Sequence, residues 1–276
     1  MKEMFSETEA DSLEVAQRKA YPSIHQGWGI IGILLLVTIG YAIPIGMLAF
    51  FNIDVQKGPF QLVNYVIPLI ILIFITRRWW KNNPRNTEVL TLRSFPLVLL
   101  PAVILMTCAL VIFTSEIGSW IPTPDFMDEF FKDMLAANIW GFLTVVVAAP
   151  ILEELLIRGI VLDGLLRNYS PWKAIIWSSV FFAVMHLNPW QFITAMIMGV
   201  AIGYLYWKTK SLFLCMFIHA LNNGIAFYLM VRYSSSSDLA HILNVGIVER
   251  AGLFVAAALV IFGLYRYFEN YFKKSR

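Results

Sequence analysis

Seven long stretches without Asp, Glu, Lys or Arg constrain this chain more than any other feature. The longest holds 34 residues, whereas a helix crosses membrane hydrocarbon in about 20 residues. The turn-favouring sequence Asn188-Pro189-Trp190 interrupts it, so we divide it into two spans and predict eight helices. The stretches are 28–53, 58–76, 94–115, 134–152, 174–207, 211–231 and 251–265.

Composition supports a membrane protein made of helices. Hydrophobic residues form 59% of the chain and charged residues 14%, against about 25% charged in soluble domains. The apolar stretches are continuous and do not alternate at period two, which favours helices over a β-barrel. The net charge of +3 is too small to indicate nucleic acid binding. We therefore predict an all-α polytopic membrane protein with about eight transmembrane helices around a polar cavity.

The charged loops predict how the chain lies in the membrane. The 77–93 connection has five basic residues and one acid, which places it in the cytoplasm by the positive-inside rule. With eight spans, both termini would then be cytoplasmic. We expect a soluble N-terminal tail at 1–27, a single membrane domain at 28–276 with its motif-bearing core at 139–231, and an interfacial amphipathic helix at 125–137.

Polar residues inside the predicted spans are concentrated between positions 150 and 225. A charge at bilayer depth costs at least about 2.5–3.5 kcal/mol, so each such residue needs a partner or a function. The first three spans hold no comparable group, which indicates that they form a wall and that the second half holds the chemistry. The residues are Glu153, Glu154, Arg158, His186, His219, Asn222 and Asn223.

The two adjacent glutamates have different neighbours four residues later on the same helix. Glu154 and Arg158 are four residues apart with the acid first, the favourable order for an ion pair, and we interpret this pair as structural support. Glu153 has Ile157 at the same spacing and gains no cation from its own helix, so it is free for chemistry. Pro150 should kink this helix and leave a carbonyl without a donor.

The remaining polar groups favour hydrolysis. His219 and Asn223 share one helix face, as do Phe182 and His186, and stabilising helix association is the alternative use of each histidine. The chain contains no His-Glu-x-x-His or Gly-x-Ser-x-Gly motif. One carboxylate, two histidines and one asparagine suit the activation of water and the stabilisation of an oxyanion, and the same set could bind a metal.

Three motifs in order give a family resemblance. Residues 153–158 match Glu-Glu-x-x-x-Arg, residues 182–186 match Phe-x-x-x-His, and residues 219–223 match His-x-x-x-Asn. The chain thereby resembles the type II CAAX prenyl endopeptidases, also called the CPBP or Abi family of intramembrane proteases. The matching stretch runs from about 148 to 224, and the eight predicted helices are similar to the membrane core of that family.

The resemblance implies a role for each residue of the set. Glu153 would be the general base, His186 would hold and polarise the attacking water, and His219 with Asn223 would stabilise the oxyanion. The neighbouring ion pair would shape the site. No cofactor is favoured. If a divalent metal such as zinc is present, Glu153, His186 and His219 would bind it.

The function implied is an intramembrane endopeptidase that cleaves a peptide bond near the cytoplasmic membrane face, similar to CAAX processing. Its partners would be the lipid bilayer and a peptide or protein substrate, which is lipidated if the likeness extends to specificity. One alternative is a non-catalytic membrane binding or immunity protein of the same fold. A transporter with Glu153 as its proton site is another.

The depths of the two histidines disagree in straight helices of equal length. His186 lies 15 residues after Pro171, about 22 Å, whereas His219 lies nine residues after Lys210, about 13 Å. A fifth helix that starts well below the membrane surface, or tilted helices around a funnel, would remove the discrepancy.

Overall fold

The structure is a computed structural model that describes residues 19–55, 57–86, 94–121, 124, 138–233 and 242–274. This part of the chain forms eight helices and no β-strand, so the all-α class is confirmed. The predicted interfacial helix at 125–137 and residues 1–18 of the predicted tail lie outside it. The helices are α1 Ile24–Met47, α2 Pro59–Asn82, α3 Leu100–Ser119, α4 139–168, α5 Pro171–Met185, α6 Pro189–Thr209, α7 Leu212–Tyr233 and α8 Ile247–Lys274.

Six helices in the described part are long and apolar enough to cross a membrane: α1, α2, α3 with its preceding turn, α6, α7 and α8. These confirm a polytopic membrane protein. Helix α5 is apolar but has only 15 residues. Pro171 starts it, and Leu187, at φ 52°, has a left-handed backbone conformation that does not continue the helix beyond Met185. Helix α4 is divided into short segments. Eight complete crossings therefore stay a prediction.

Helix α1 begins four residues before the predicted span, inside the predicted tail. Ser23 and Gln26 form a capping box, which satisfies two backbone donors at the helix start. The preceding residues are held in place, since Asn168 bonds both to the backbone N–H of Ala20 (2.9 Å) and to its carbonyl (2.7 Å). The segment before α1 thus packs against the end of α4.

Helix α4 changes repeatedly between α and π geometry. Ala149 N–H donates to the carbonyl of Thr144, five residues earlier, and in this register Pro150 stands opposite the carbonyl of Val145. Proline has no N–H, and Asn223 Nδ2 of α7 donates to that carbonyl instead (2.9 Å). As predicted, Pro150 leaves one carbonyl without a backbone donor. A side chain of another helix donates to it instead. The segments of α4 are Ile139–Phe142 (α), Leu143–Ala148 (π), Ala149–Glu154 (α), Leu155–Leu162 (π) and Asp163–Asn168 (α).

Helices α5 and α6 approach closely along a stripe of small residues. A Cβ atom on Gly199 would lie 2.9 Å from Ser179 Cβ, and one on Gly203 would lie 3.2 Å from Ile175 Cγ2. Helices in lipid associate through such small residues because their backbones can approach closely. This packing fixes α6 beside the helix that carries His186.

The structure also explains the apparent difference in histidine depth. Lys210, in the α6–α7 turn, forms an ion pair with Asp163 of α4 (3.7 Å). Asp163 lies ten residues after Glu153 and Lys210 lies nine before His219, so Glu153 and His219 are at similar distances from this ion pair. Helix α4 continues past it to Asn168, and α5 begins only at Pro171. The fifth helix therefore starts further from the site than the seventh. This agrees with the first explanation given above, a fifth helix that begins well below the membrane surface.

Candidate active site

Glu153 lies in α4 at the end of its central α-helical segment, and only 6% of the residue is exposed. The hydroxyl of Tyr65, on α2, donates a hydrogen bond to Glu153 Oε1. The other oxygen, Oε2, is buried and has no hydrogen-bond partner among the described residues. A buried polar atom without a partner is costly, which marks Oε2 as a candidate for function.

Two histidine nitrogens face that oxygen. The Nε2 atoms of His186 and His219 each lie 3.9 Å from Glu153 Oε2. His186 follows the last residue of α5, and 22% of its side chain is exposed, whereas His219 in α7 is buried. The structure therefore brings together three residues from three helices that the sequence predicts as catalytic.

The opposite nitrogen of each histidine is anchored. His186 Nδ1 lies 2.7 Å from the carbonyl of Phe182, and because a carbonyl only accepts, Nδ1 must carry the proton. His219 Nδ1 lies 2.8 Å from Glu154 Oε1. Each imidazole is thus held by one nitrogen and presents the other, Nε2, to Glu153.

The predicted Glu154–Arg158 ion pair is present and fully buried, with 2.9 Å between Arg158 Nη1 and Glu154 Oε1. Arg158 Nη2 also donates to the carbonyl of Gly199 on α6 (3.2 Å). Since Glu154 also contacts His219, the pair connects α4, α6 and α7. It therefore does more than stabilise α4, the helix that carries it.

Phe182 stands at the centre of these groups. The guanidinium of Arg158 lies 4.6 Å from the centroid of its ring, a cation–π contact. The rings of His186 and His219 meet it edge to face at 4.9 and 5.6 Å. The first residue of the Phe-x-x-x-His motif therefore orients the histidine of its own motif and packs against residues of the other two.

Asn223 is placed differently from the other predicted catalytic residues. Its Nδ2 donates to Val145 O, and its Oδ1 accepts from Asn222 Nδ2 (3.1 Å). These bonds direct it to the kink of α4, eight residues before Glu153. Its role as an oxyanion donor stays a prediction.

Tyr65 is the site residue that sequence reasoning missed. It lies within the apolar run of α2, which the sequence indicates only as part of the wall. A tyrosine in such a run most often packs as an ordinary aromatic residue, and no local spacing relates it to Glu153, which lies 88 positions away.

The distances fit a bound water better than a bound metal. A tetrahedral zinc with bonds of about 2.0–2.1 Å would bring its ligand atoms to about 3.3 Å from one another, closer than the 3.9 Å seen here. No group of three or more His, Cys, Asp or Glu side chains in the described residues is arranged to hold a metal ion. The proposed roles of Glu153, His186 and His219 therefore need no metal. A water about 2.8 Å from Glu153 Oε2 and about 2.8 Å from either histidine nitrogen is compatible with the 3.9 Å separations.

Comparisons with known proteins agree with the motif order. The chain is 26% identical over 207 residues to a protein of Bacillus subtilis (strain 168) named "Putative membrane peptidase YdiL", covering 72% of this chain and 82% of that protein. No solved structure matches this chain. Residues 135–225 match the family model described as "Type II CAAX prenyl endopeptidase Rce1-like". The resemblance predicted from the three motifs is confirmed: the stretch that carries them matches the Rce1-like family model.

Proposed function

We propose that this protein is a membrane endopeptidase in which Glu153 activates water. The observation that carries the proposal is the position of Glu153 Oε2, 3.9 Å from the Nε2 atoms of both histidines. A buried carboxylate oxygen beside two anchored imidazoles can hold and deprotonate water. The match of 135–225 to an endopeptidase family and the similarity to a protein named as a membrane peptidase support the same reaction.

The proposed reaction begins when water attacks the carbonyl carbon of a peptide bond. Glu153 Oε2 takes a proton from the water, and His186 Nε2 accepts a hydrogen bond that orients it. His219 donates from Nε2 to the oxyanion, while the contact of its Nδ1 with Glu154 Oε1 (2.8 Å) holds the ring in place. Glu153 then returns the proton to the departing amine, so that the peptide bond breaks and the proton balance closes.

The position of the site supports cleavage near the cytoplasmic face. The end of α4 and the basic loop after α2 are on one side, since Arg167 Nη1 donates to the carbonyl of Arg85 (3.4 Å). The positive-inside rule predicts that this side is cytoplasmic. Glu153 lies ten residues from Asp163, about 15 Å along the helix, so a substrate would enter from this side.

A comparison of membrane proteomes tests the reaction before any single substrate has been identified. We would express the wild type, Glu153→Gln and Glu116→Gln at matched folded levels and label the new N-termini that form in membrane proteins. Glu116 is a suitable control because it pairs with Arg250 at the contact of α3 and α8, away from the site. We expect new termini in the wild type and Glu116→Gln, and none of them in Glu153→Gln.

Two results would contradict the proposal. Termini that persist at full level in Glu153→Gln would exclude Glu153 as the base. The absence of new termini in every sample, with any biological effect proportional to the folded yield, would favour the non-catalytic binding protein.

A lipidated peptide is the proposed substrate class, because the matching family acts on CAAX prenyl ends. A farnesylated peptide ending in a CAAX sequence should be cleaved by the reconstituted protein faster than the same peptide without its lipid. Equal rates for the two peptides would show that the prenyl group is not recognised.

Metal dependence can be tested on the same peptide. We expect cleavage to be unchanged after incubation with a strong chelator, since the distances around Glu153 Oε2 are wider than those of a zinc site. Loss of cleavage in chelator and its recovery with a divalent ion would instead assign a metal to Glu153, His186 and His219.

A further inference from the structure

We propose that Tyr65 is a positioning residue for Glu153, holding one carboxylate oxygen so that the other faces both histidines. This inference rests on the proposed function, because it assigns a role within the same reaction. It extends the site to α2, a helix before the 135–225 stretch that matches the endopeptidase family.

The contacts of the carboxylate divide cleanly between its two oxygens. Tyr65 OH donates to Oε1, and the two histidine nitrogens face Oε2. Each of the three groups comes from a different helix: α2, α5 and α7. Helix α4 supplies no cation to Glu153, because the residue four positions later is Ile157. Among the described residues, Tyr65 is therefore the hydrogen-bond donor that fixes the carboxylate plane.

Such a contact matters for a general base. A glutamate side chain has three rotatable bonds, and a base must keep its oxygen within hydrogen-bond reach of the proton that it removes. A tyrosine ring turns about only two bonds, so its hydroxyl is a rigid donor. Without it, Glu153 Oε1 would lose its partner and the carboxylate could rotate away from the water site.

A purely structural role makes a different prediction. If Tyr65 only satisfied a buried oxygen, Tyr65→Phe would lower the folded yield and leave the rate of each folded molecule unchanged. A positioning role instead lowers kcat at an unchanged KM, because substrate binding does not involve the hydroxyl.

The chain offers a matched control. Tyr204 OH donates to Glu269 Oε1 (2.8 Å), a second tyrosine–glutamate pair, which joins α6 to the last part of α8. Tyr204→Phe therefore removes the same kind of bond at a site that does not contact Glu153.

The experiment uses the full chain in vesicles and a quenched fluorescent farnesylated CAAX peptide. We expect Tyr65→Phe to lower kcat by about 10- to 100-fold, the effect of losing a hydrogen bond to a charged group, with KM within about twofold. Tyr204→Phe should match the wild type. A kcat of Tyr65→Phe equal to that of the wild type would overturn the inference.

A second measurement does not depend on turnover. Dicyclohexylcarbodiimide adds to a carboxyl group that is free to react, and mass spectrometry locates the adduct. Glu153 should be modified several-fold faster in Tyr65→Phe than in the wild type or Tyr204→Phe, because Oε1 is released. Unchanged labelling would show that Tyr65 does not hold the carboxylate. If the wild type cleaves no peptide, the proposed function fails for this substrate, and the labelling still decides whether Tyr65 controls Glu153.

Discussion

Glu153 and Glu154 are neighbours in sequence but meet different partners in the structure. Glu154 lies between Arg158 and His219, with its Oε1 2.9 and 2.8 Å from them. Glu153 bonds to Tyr65 through one oxygen and offers the other to the histidines. One carboxylate is thus committed to a buried charge network, whereas the other is available to a substrate water.

This difference predicts that two adjacent, isosteric substitutions change the free energy of unfolding by very different amounts. Glu154→Gln leaves the buried Arg158 without its counter-charge and should lower the free energy of unfolding by about 3 kcal/mol. Glu153→Gln keeps an oxygen that can accept from Tyr65 and should change stability by less than about 1 kcal/mol. Thermal unfolding of both variants in the same detergent measures the difference. Equal stability of the two would contradict the assignment of the charge network to Glu154.

Residue spacing predicts part of this site and not the rest. The four-residue interval identifies the Glu154–Arg158 pair and shows that Glu153 has no cation on its own helix. It cannot reveal that Glu154 also anchors His219, 65 positions later, or that Tyr65 donates to Glu153, because both contacts depend on how separate helices pack.

At the scale of the element, α4 determines the shape of the site through its irregular geometry. Its π-helical segments lie on either side of the segment that ends at Glu154, and π-helical turns are frequent at functional sites. Pro150 leaves the carbonyl of Val145 without a backbone donor, and Asn223 supplies one from α7. The kink of α4 and the position of α7 are therefore coupled.

The coupling can be measured with a double-mutant cycle. Asn223→Ala should lower the free energy of unfolding by about 1–2 kcal/mol, because it leaves the partly buried carbonyl of Val145 without a donor. In a Pro150→Ala background the cost should be smaller, since in the π register residue 150 then has an N–H for the same carbonyl.

Two readouts of this cycle separate the two roles of Asn223. Identical costs in both backgrounds would show that Asn223 does not serve the freed carbonyl. A lower cleavage rate per folded molecule in both Asn223→Ala variants would support its predicted role at the oxyanion.

Element type was predictable because long apolar runs and proline breaks specify where helices begin and end. The Asn188-Pro189 break between α5 and α6 is confirmed, with Asn188 capping the new helix by accepting from Trp190 N–H (3.0 Å). The π geometry of α4 was not predictable, because residue spacing does not reveal contacts such as the bond from Asn223 of α7 to Val145 O in the first π segment. A complete membrane crossing by α5, which has 15 residues, stays a prediction.

At the scale of the whole molecule, charged side chains gather on one side of the bundle. Lys210 pairs with Asp163, and Lys208 with Glu269 (2.8 Å). Asn168, at the end of α4, is bonded to the segment before α1 on the same side. The distribution of basic loops predicts that this side is cytoplasmic, and Glu153 and His219 lie ten and nine residues inside it, about 13–15 Å.

Orientation can be tested with single cysteines in a chain whose Cys108 and Cys215 are replaced by serine. Lys81 lies in the last turn of α2 on the predicted cytoplasmic side, and the exposed Val248 lies in the first turn of α8 on the opposite side. A membrane-impermeant maleimide should label Val248→Cys in intact cells and Lys81→Cys only after permeabilisation. The reverse pattern would place both the termini and the site on the other side.

The most direct test of the central claim is the turnover of reconstituted Glu153→Gln relative to the wild type, at equal amounts of folded protein, on a peptide that the wild type cleaves. If Glu153 Oε2 removes the proton from the attacking water, kcat should fall by about 1,000-fold or more, with the peptide still bound. A Glu153→Gln protein that retains at least about a tenth of the wild-type kcat would show that another group performs this step.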